Sequence, residues 1–122
     1  MGRRVVGVTA RQLKAKAKKL GVRLPHRTTL RRYGLTEYAW LKRLDEQGWV
    51  CPLCLRLPLG GKFVVDHEHV RGWKDMPDEE RATYVRGLLC WQDNKFLLPR
   101  SFTIEVADRV VQYLRDYLAR RA

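Results

Sequence analysis

The first 36 residues contain no aspartate and no glutamate, although they hold 11 lysines and arginines. No stretch approaches the roughly 20 apolar residues of a membrane-spanning helix, and Val5-Val6-Gly7-Val8 after Arg3-Arg4 is too short for a signal-peptide core. Met1-Gly2 opens the chain, but Val6 stands where a myristoylation signal has Ser or Thr. The expectation is a soluble intracellular chain. Cysteine is scarce and odd in number, three in all, whereas secreted domains stapled by disulfides usually carry even sets. Glycine and proline supply only 14 of 122 residues and hydrophobic residues 45%, which excludes a disordered or fibrous chain.

Positive charge is plentiful: 25 Lys and Arg against 13 Asp and Glu, a formal +12 on 14.4 kDa. That mass is one domain. A basic excess on a small folded domain points first to nucleic acid and second to an anionic membrane. Position sharpens this, because the 11 basic residues before Thr36 leave 14 basic and 13 acidic residues for the remainder. Residues 1–34 therefore read as a basic helix and connector, and residues 35–122 as a nearly neutral domain.

Thr9 is suited to cap a helix from Ala10 to Leu20, in which Leu13, Ala17 and Leu20 share one face and Arg11, Lys14, Lys18 and Lys19 cover most of the rest. Gly21 closes it. With no acidic neighbour to balance the lysines, phosphate contact is favoured over an idle solvated face. Gly21 to Gly34, with Pro25, Arg27, Arg31 and Arg32, reads as an extended, mobile connector. A second helix begins at Thr36 and ends at Gly48, with Tyr38, Leu41 and Leu44 facing a core. Cys51-Pro52-Leu53-Cys54 comes next as a tight turn and Leu59-Gly60-Gly61 as a hairpin turn. Lys62-Phe63-Val64-Val65 is then a short strand running into Asp66-His67-Glu68-His69. Pro77-Asp78-Glu79-Glu80 has the form of an acidic first helical turn, Tyr84 to Leu89 reads as a second strand, and Cys90 to Asn94 opens a helix. Thr103 caps a last amphipathic helix whose stripe, Ala107, Val110, Val111, Leu114, Tyr117 and Leu118, is read as core packing.

Two metal sites of different chemistry are suggested. Cys51, Cys54 and Cys90 are soft ligands for a structural Zn²⁺, and Asp93 completes a second two-residue spacing with a carboxylate. Buried thiols acting as small hydrophobes are the plain alternative. Asp66 beside His67 and His69 suits Mg²⁺ chemistry, a hard carboxylate holding the ion while a neutral imidazole takes a proton from water. Successive strand residues point to opposite faces, so the strand must end or bulge near Asp66 for Asp66 and His67 to serve one site.

Taken in order, Cys51-Pro52-Leu53-Cys54, Asp66-His67-Glu68-His69 and Val85-Arg86-Gly87-Leu88-Leu89-Cys90-Trp91-Gln92-Asp93-Asn94 closely resemble the phage recombination endonuclease VII family within the HNH nucleases. The resemblance runs roughly from Tyr33 to Leu98. It implies an α+β chain with a ββα-metal core and a zinc knuckle, flanked by the basic N-terminal helix and the amphipathic C-terminal one. It also implies Asp66 and Asn94 as Mg²⁺ or Mn²⁺ ligands, His67 as general base, His69 near the scissile phosphate, and Cys51, Cys54 and Cys90 as zinc ligands. The family has a fourth cysteine where this chain has Asp93. Zinc on three sulfurs and one carboxylate, zinc with another fourth ligand, and no zinc all remain open. A second departure is the long, acidic segment between His69 and Val85, where the family has a short turn.

The implied activity is hydrolysis of phosphodiester bonds in duplex or branched DNA, Mg²⁺ polarising the phosphate and His67 activating water. Arg86 and Lys95 would neutralise flanking phosphates, while Arg11, Lys14, Lys18, Lys19, Arg27, Arg31 and Arg32 grip the backbone without reading sequence. The partner is DNA rather than a membrane, with a homodimer through the last helix open. The location is cytoplasmic, the host's if the chain is phage-encoded. A zinc-knuckle nucleic-acid-binding protein without catalysis is the alternative, and a phage structural or packaging-associated protein a third.

Overall fold

The computed structural model describes residues 7–121; Arg3 and Arg4 of the basic segment, and the Met1-Gly2 and Val5-Val6 features, lie outside the described residues. Helix α1 (Ala10–Leu20) begins with a reciprocal capping box between Thr9 and Gln12 and ends at Gly21, which adopts φ 74°. Helix α2 (Arg27–Arg32) corrects the expectation of an extended connector over residues 21–34. The His26 imidazole acts as its N-cap, Nδ1 accepting from the Thr28 amide at 3.0 Å, a capping role outside the usual Ser, Thr, Asp and Asn set. Helix α3 (Glu37–Glu46) is capped by the Thr36 hydroxyl, as its sequence suggests.

A single core unites these helices with the strand region. Leu13 and Ala17 of α1, Val22, and Leu30 of α2 pack in the same cluster as Trp40, Leu41, Leu44, Trp49, Phe63 and Leu88. Burial of a leucine side chain contributes about 1.5–3 kcal/mol. The exposed Lys14–Glu37 ion pair, at 2.8 Å, adds only about 0.2–1 kcal/mol. Packing, not charge, therefore docks α1 on α3. Backbone contact fastens the next segment: a Cβ at Gly61 would lie 1.9 Å from the Gly21 carbonyl oxygen, and the Arg23 amide donates to the Gly61 carbonyl at 2.8 Å.

Strand β1 (Val64–His67) pairs antiparallel with β2 (Val85–Leu89) to form a two-stranded sheet. Leu59–Gly61 is a tight helical turn before β1, not the expected hairpin turn, and β1 takes in Asp66 and His67 rather than stopping at Val65. The link between the strands carries a single-turn helical segment, Trp73–Asp75, and helix α4 (Asp78–Ala82). Beyond β2 come α5 (Trp91–Phe96), packed against β1, and α6 (Ile104–Arg121). Gln47, just past α3, serves β2 as a surrogate strand: its Oε1 accepts from the Leu88 amide at 2.7 Å and its Nε2 donates to the Leu88 carbonyl at 2.8 Å. The chain is thus α+β, built from helices packed around a small hairpin-like sheet.

The stripe of α6 departs from expectation. None of its residues is buried, and Val110, Val111, Leu114, Tyr117 and Leu118 are all exposed. Helical periodicity shows that one face is apolar but not what it packs against. Among the described residues, no helix is long and apolar enough to cross a membrane.

Candidate metal centre and active site

The knuckle brings four ligands together from two places in the chain. Cys51-Pro52-Leu53-Cys54 turns tightly, with the Leu55 amide donating to the Cys51 carbonyl at 2.8 Å and the Cys51 amide to the Arg56 carbonyl at 2.9 Å. Leu55 takes φ 62°, rare for a leucine, to complete that turn. Cys90 caps α5, its Sγ accepting from the Asp93 amide at 3.4 Å, and so places Asp93 in the first turn of the helix. The ligand atoms of Cys51, Cys54, Cys90 and Asp93 all lie within 4.8 Å of one another. Three thiols and a carboxylate fit a tetrahedral Zn²⁺.

The electrostatics agree with that fit. Burial pushes the Cys90 thiol up to about 12, while thiol hydrogen bonds from Cys90, Cys51 and Cys54 hold the Asp93 carboxyl below its usual range. The Cys51 Sγ lies 3.2 Å from Asp93 Oδ2. Without a cation the Cys90 thiol stays protonated; a divalent ion supplies the charge that draws the proton off.

The second cluster sits where β1 and β2 lose register. Asp66 pairs with Gly87 and His67 with Val85, which leaves Arg86 as the extra residue of a bulge, and β1 ends at His67. The break falls between Asp66 and His67, where strand periodicity asks for one, but its extra residue lies on β2 and β1 itself runs on through His67. Asp66 is 6% exposed, and Arg86 forks it, Nε donating to Oδ2 and Nη2 to Oδ1, each at 2.8 Å. A carboxylate offers about four lone-pair sites, of which Arg86 takes two. The half-buried Asn94 lies on α5, which packs against β1; its amide oxygen and the remaining lone pairs of Asp66 are each of the hard kind that Mg²⁺ or Mn²⁺ takes. Asp66, His67, Glu68 and His69 do not close into a three-ligand cluster like that of the knuckle among the described residues.

His67 is half-buried and enclosed by rings. Trp73 stacks on it with centroids 4.4 Å apart and planes 22° apart, Tyr33 tilts against it at 5.4 Å, and the exposed His69 lies 4.6 Å away. Burial lowers its affinity for a proton below the ordinary 6.5, and the neighbouring His69 lowers it further. The neutral imidazole a general base needs is thereby favoured. A cavity of about 410 Å³ opens beside it, with Arg32, Lys74 and Arg100 on its walls.

The expected DNA contacts divide. Arg11, Lys18, Lys19, Arg27, Arg31 and Arg32 are exposed. Lys14 is tied to Glu37, Arg86 to Asp66, and Lys95 lies over the rings of Trp91 and Phe96, at 4.8 and 5.6 Å. Sequence reasoning passes over Trp73, Tyr33 and Arg100. Nothing in local pattern marks them, since their roles arise from the folding of distant segments around His67.

The sequence profile of recombination endonuclease VII matches residues 26–116, three quarters of the chain. The chain belongs to the recombination endonuclease VII family. Membership implies a DNA endonuclease acting on branched DNA. The match takes in α2, both strands, the Cys51–Asp93 cluster and most of α6. Neither the curated proteins nor the solved structures give a match.

Proposed function

We propose that this member of the endonuclease VII family is a metal-dependent DNA endonuclease of the HNH type, with β1, β2 and α5 as its ββα-metal core. The observation that carries the reading is the register break between a buried carboxylate, Asp66, and a half-buried imidazole, His67, at the end of β1. Asp66 and Asn94 would hold Mg²⁺ or Mn²⁺, which when bound supplies the charge that stabilises the phosphate and the leaving 3′ oxygen. His67 receives the proton of the attacking water at a ring nitrogen. His69, exposed with its ring 4.6 Å from that of His67, would donate to a phosphate oxygen. Zn²⁺ on Cys51, Cys54, Cys90 and Asp93 fastens the knuckle to α5 and so holds Asn94 in register with β1.

Residues 35–122 would carry this chemistry and residues 1–34 the accessory grip on DNA. Arg11, Lys18, Lys19, Arg27, Arg31 and Arg32 contact phosphates, and the proposed location is the cytoplasm, the host's if the chain is phage-encoded. The exposed stripe of α6 pairs with a second copy of the chain. Glu105 and Asp108 lie near its start and Arg120 and Arg121 at its end, so an antiparallel pair sets opposite charges together.

The test is nicking of plasmid and of four-way-junction DNA with Mg²⁺ or Mn²⁺. His67→Ala and Asn94→Ala should abolish cutting and retain binding. A wild-type preparation that binds DNA but cuts neither duplex, branched nor single-stranded substrate would replace this reading with a nucleic-acid-binding module.

A further inference from the structure

A general base needs its ring held still, and in nucleophile–base pairs a third group usually does this by hydrogen bonding to the second ring nitrogen. Among the described residues His67 has none. Among the described residues no hydrogen bond acts on its imidazole; only burial and the charges of His69, Asp66 and Arg86 influence it. Orientation must come from packing. The nearest and flattest ring against it is Trp73, at 4.4 Å and 22°.

Trp73 lies in the long link between the strands. It is itself firmly fixed. The indole is buried, and its Nε1 donates to the Arg81 carbonyl at 3.4 Å. Arg81 in turn donates to the Met76 carbonyl at 2.8 Å and to the Arg31 carbonyl of α2 at 3.0 Å, and pairs with Asp78. The backbone of Asp78 lies so close to Gly34 that a Cβ there would fall 2.1 Å from its carbonyl oxygen. Next to Gly34, Tyr33 touches both Trp73, at 5.7 Å, and His67. An unbroken line of contacts thus runs from α2 through Arg81 and Trp73 to the imidazole.

We infer that Trp73 is a positioning residue for His67, and that the segment from Trp73 to Ala82 is a buttress clamped to α2 by Arg81. The inference rests on His67 being the base. Aromatic contact replaces the missing hydrogen bond and leaves both ring nitrogens free, one for the proton of water. Stacked rings prefer defined offsets and tilts, which selects one orientation of the imidazole.

Three variants and one spectrum test it. Trp73→Leu and Trp73→Ala should lower kcat for nicking about 100-fold, as expected for a base displaced by roughly 1 Å, with KM essentially unchanged. Trp73→Phe, which keeps a flat ring, should restore most of the rate. In the zinc-loaded wild type without Mg²⁺ or Mn²⁺ the His67 ring protons should resonate upfield of an unstacked imidazole, keep that shift in Trp73→Phe and lose it in Trp73→Leu. The NMR signature needs neither the catalytic cation nor activity, and in wild type and Trp73→Phe it stands even if the smaller variants fail to fold. An unshifted wild-type resonance overturns the inference. So does wild-type kcat in Trp73→Leu alongside an inactive His67→Ala. Full nicking by His67→Ala instead removes the base assignment itself.

Discussion

The guanidinium of Arg86 grips both carboxylate oxygens of Asp66, each at 2.8 Å, across a bulge in which Arg86 is the extra residue. The pair explains how an acid can be buried in a two-stranded sheet. It also sets a competition, because the carboxylate that would hold the catalytic cation is already neutralised.

Replacing Arg86 should therefore separate stability from metal affinity. Arg86→Ala leaves a buried carboxylate without its partner; since Arg86 is about half exposed, a cost of about 1–2 kcal/mol is expected rather than the roughly 3–5 of a fully buried pair. Mg²⁺ or Mn²⁺ should recover part of that loss by taking the place of the guanidinium. Thermal melts of the zinc-loaded protein without and with added Mg²⁺ would show a larger Mg²⁺-induced rise in Tm for Arg86→Ala than for wild type. The rise should vanish in the Arg86→Ala, Asp66→Asn double variant.

The His67 environment predicts where activity fails in acid. Its proton affinity is lowered by burial and by His69, so the neutral form persists below the ordinary 6.5 and the acid limb of the rate profile should lie below that value. Removing His69 takes away the repulsion that helps lower it. His69→Ala should then shift the limb upward, toward 6.5, whatever it does to the maximal rate. A limb that stays in place or moves down would show that His69 does not act on His67 in this way.

How far the sequence reaches is clear from particular residues. Thr9, Gly21, Thr36 and Thr103 mark helix ends by local chemistry, and each stands at such an end in the structure. The Cys51–Asp93 spacing is legible because one tight turn and one helical turn suffice to place the ligands. The need for a break at Asp66 is legible because strand periodicity is two. Arg86 reads as a free cation and is in fact a paired one, since its partner lies on the other strand. Trp73 and Gln47 are invisible for a related reason: their partners lie in other segments of the chain. His26 escapes notice because imidazole caps are uncommon, and the six-residue helix it starts is too short for periodicity to reveal.

Zinc should be required for the knuckle. One Zn²⁺ per chain is expected by metal analysis, and stripping it should loosen α5, whose N-cap is Cys90. Because the Cys90 thiol sits at about 12 in the metal-free environment, binding must expel its proton, so zinc affinity should rise with pH through neutrality, on the order of tenfold per pH unit for each proton released. Asp93→Cys should bind at least as tightly as wild type, and Asp93→Ala should weaken binding by roughly tenfold or more. Equal affinity for Asp93→Ala and wild type would place the fourth ligand elsewhere.

The basic face should be separable from the fold by point substitution but not by truncation. Deleting residues 1–32 removes Leu13, Ala17, Val22 and Leu30 from the core, and Leu13→Ala alone should cost about 2–5 kcal/mol. Arg11→Gln, Lys18→Gln and Lys19→Gln, all on exposed positions, should leave Tm nearly unchanged. Together they should flatten the salt dependence of DNA binding, the slope of log K falling by about 0.9 for each phosphate left without its cation. Lys14→Gln should do less, because Lys14 already serves Glu37. An unchanged slope in the triple variant would move the DNA contact to another face.

The unburied face of α6 makes the last prediction. A helix of 18 residues with Val110, Val111, Leu114, Tyr117 and Leu118 all in solvent is a poor state for a monomer. Light scattering at micromolar concentration should give twice the chain mass. Leu114→Glu, placed mid-stripe, should give the single mass without loss of the zinc-bound core, since no residue of α6 is buried in the chain itself. Salt should weaken the pair if the Glu105 and Asp108 end meets the Arg120 and Arg121 end of its partner, because exposed ion pairs are screened over about 10 Å at roughly 0.1 M. Charge reversal tests that arrangement directly: changing Arg120 and Arg121 to Glu should abolish pairing, and changing Glu105 and Asp108 to Arg in the same chain should restore it. A parallel pair, which sets like charges together, would be strengthened by neither change, so the double reversal decides between the two arrangements.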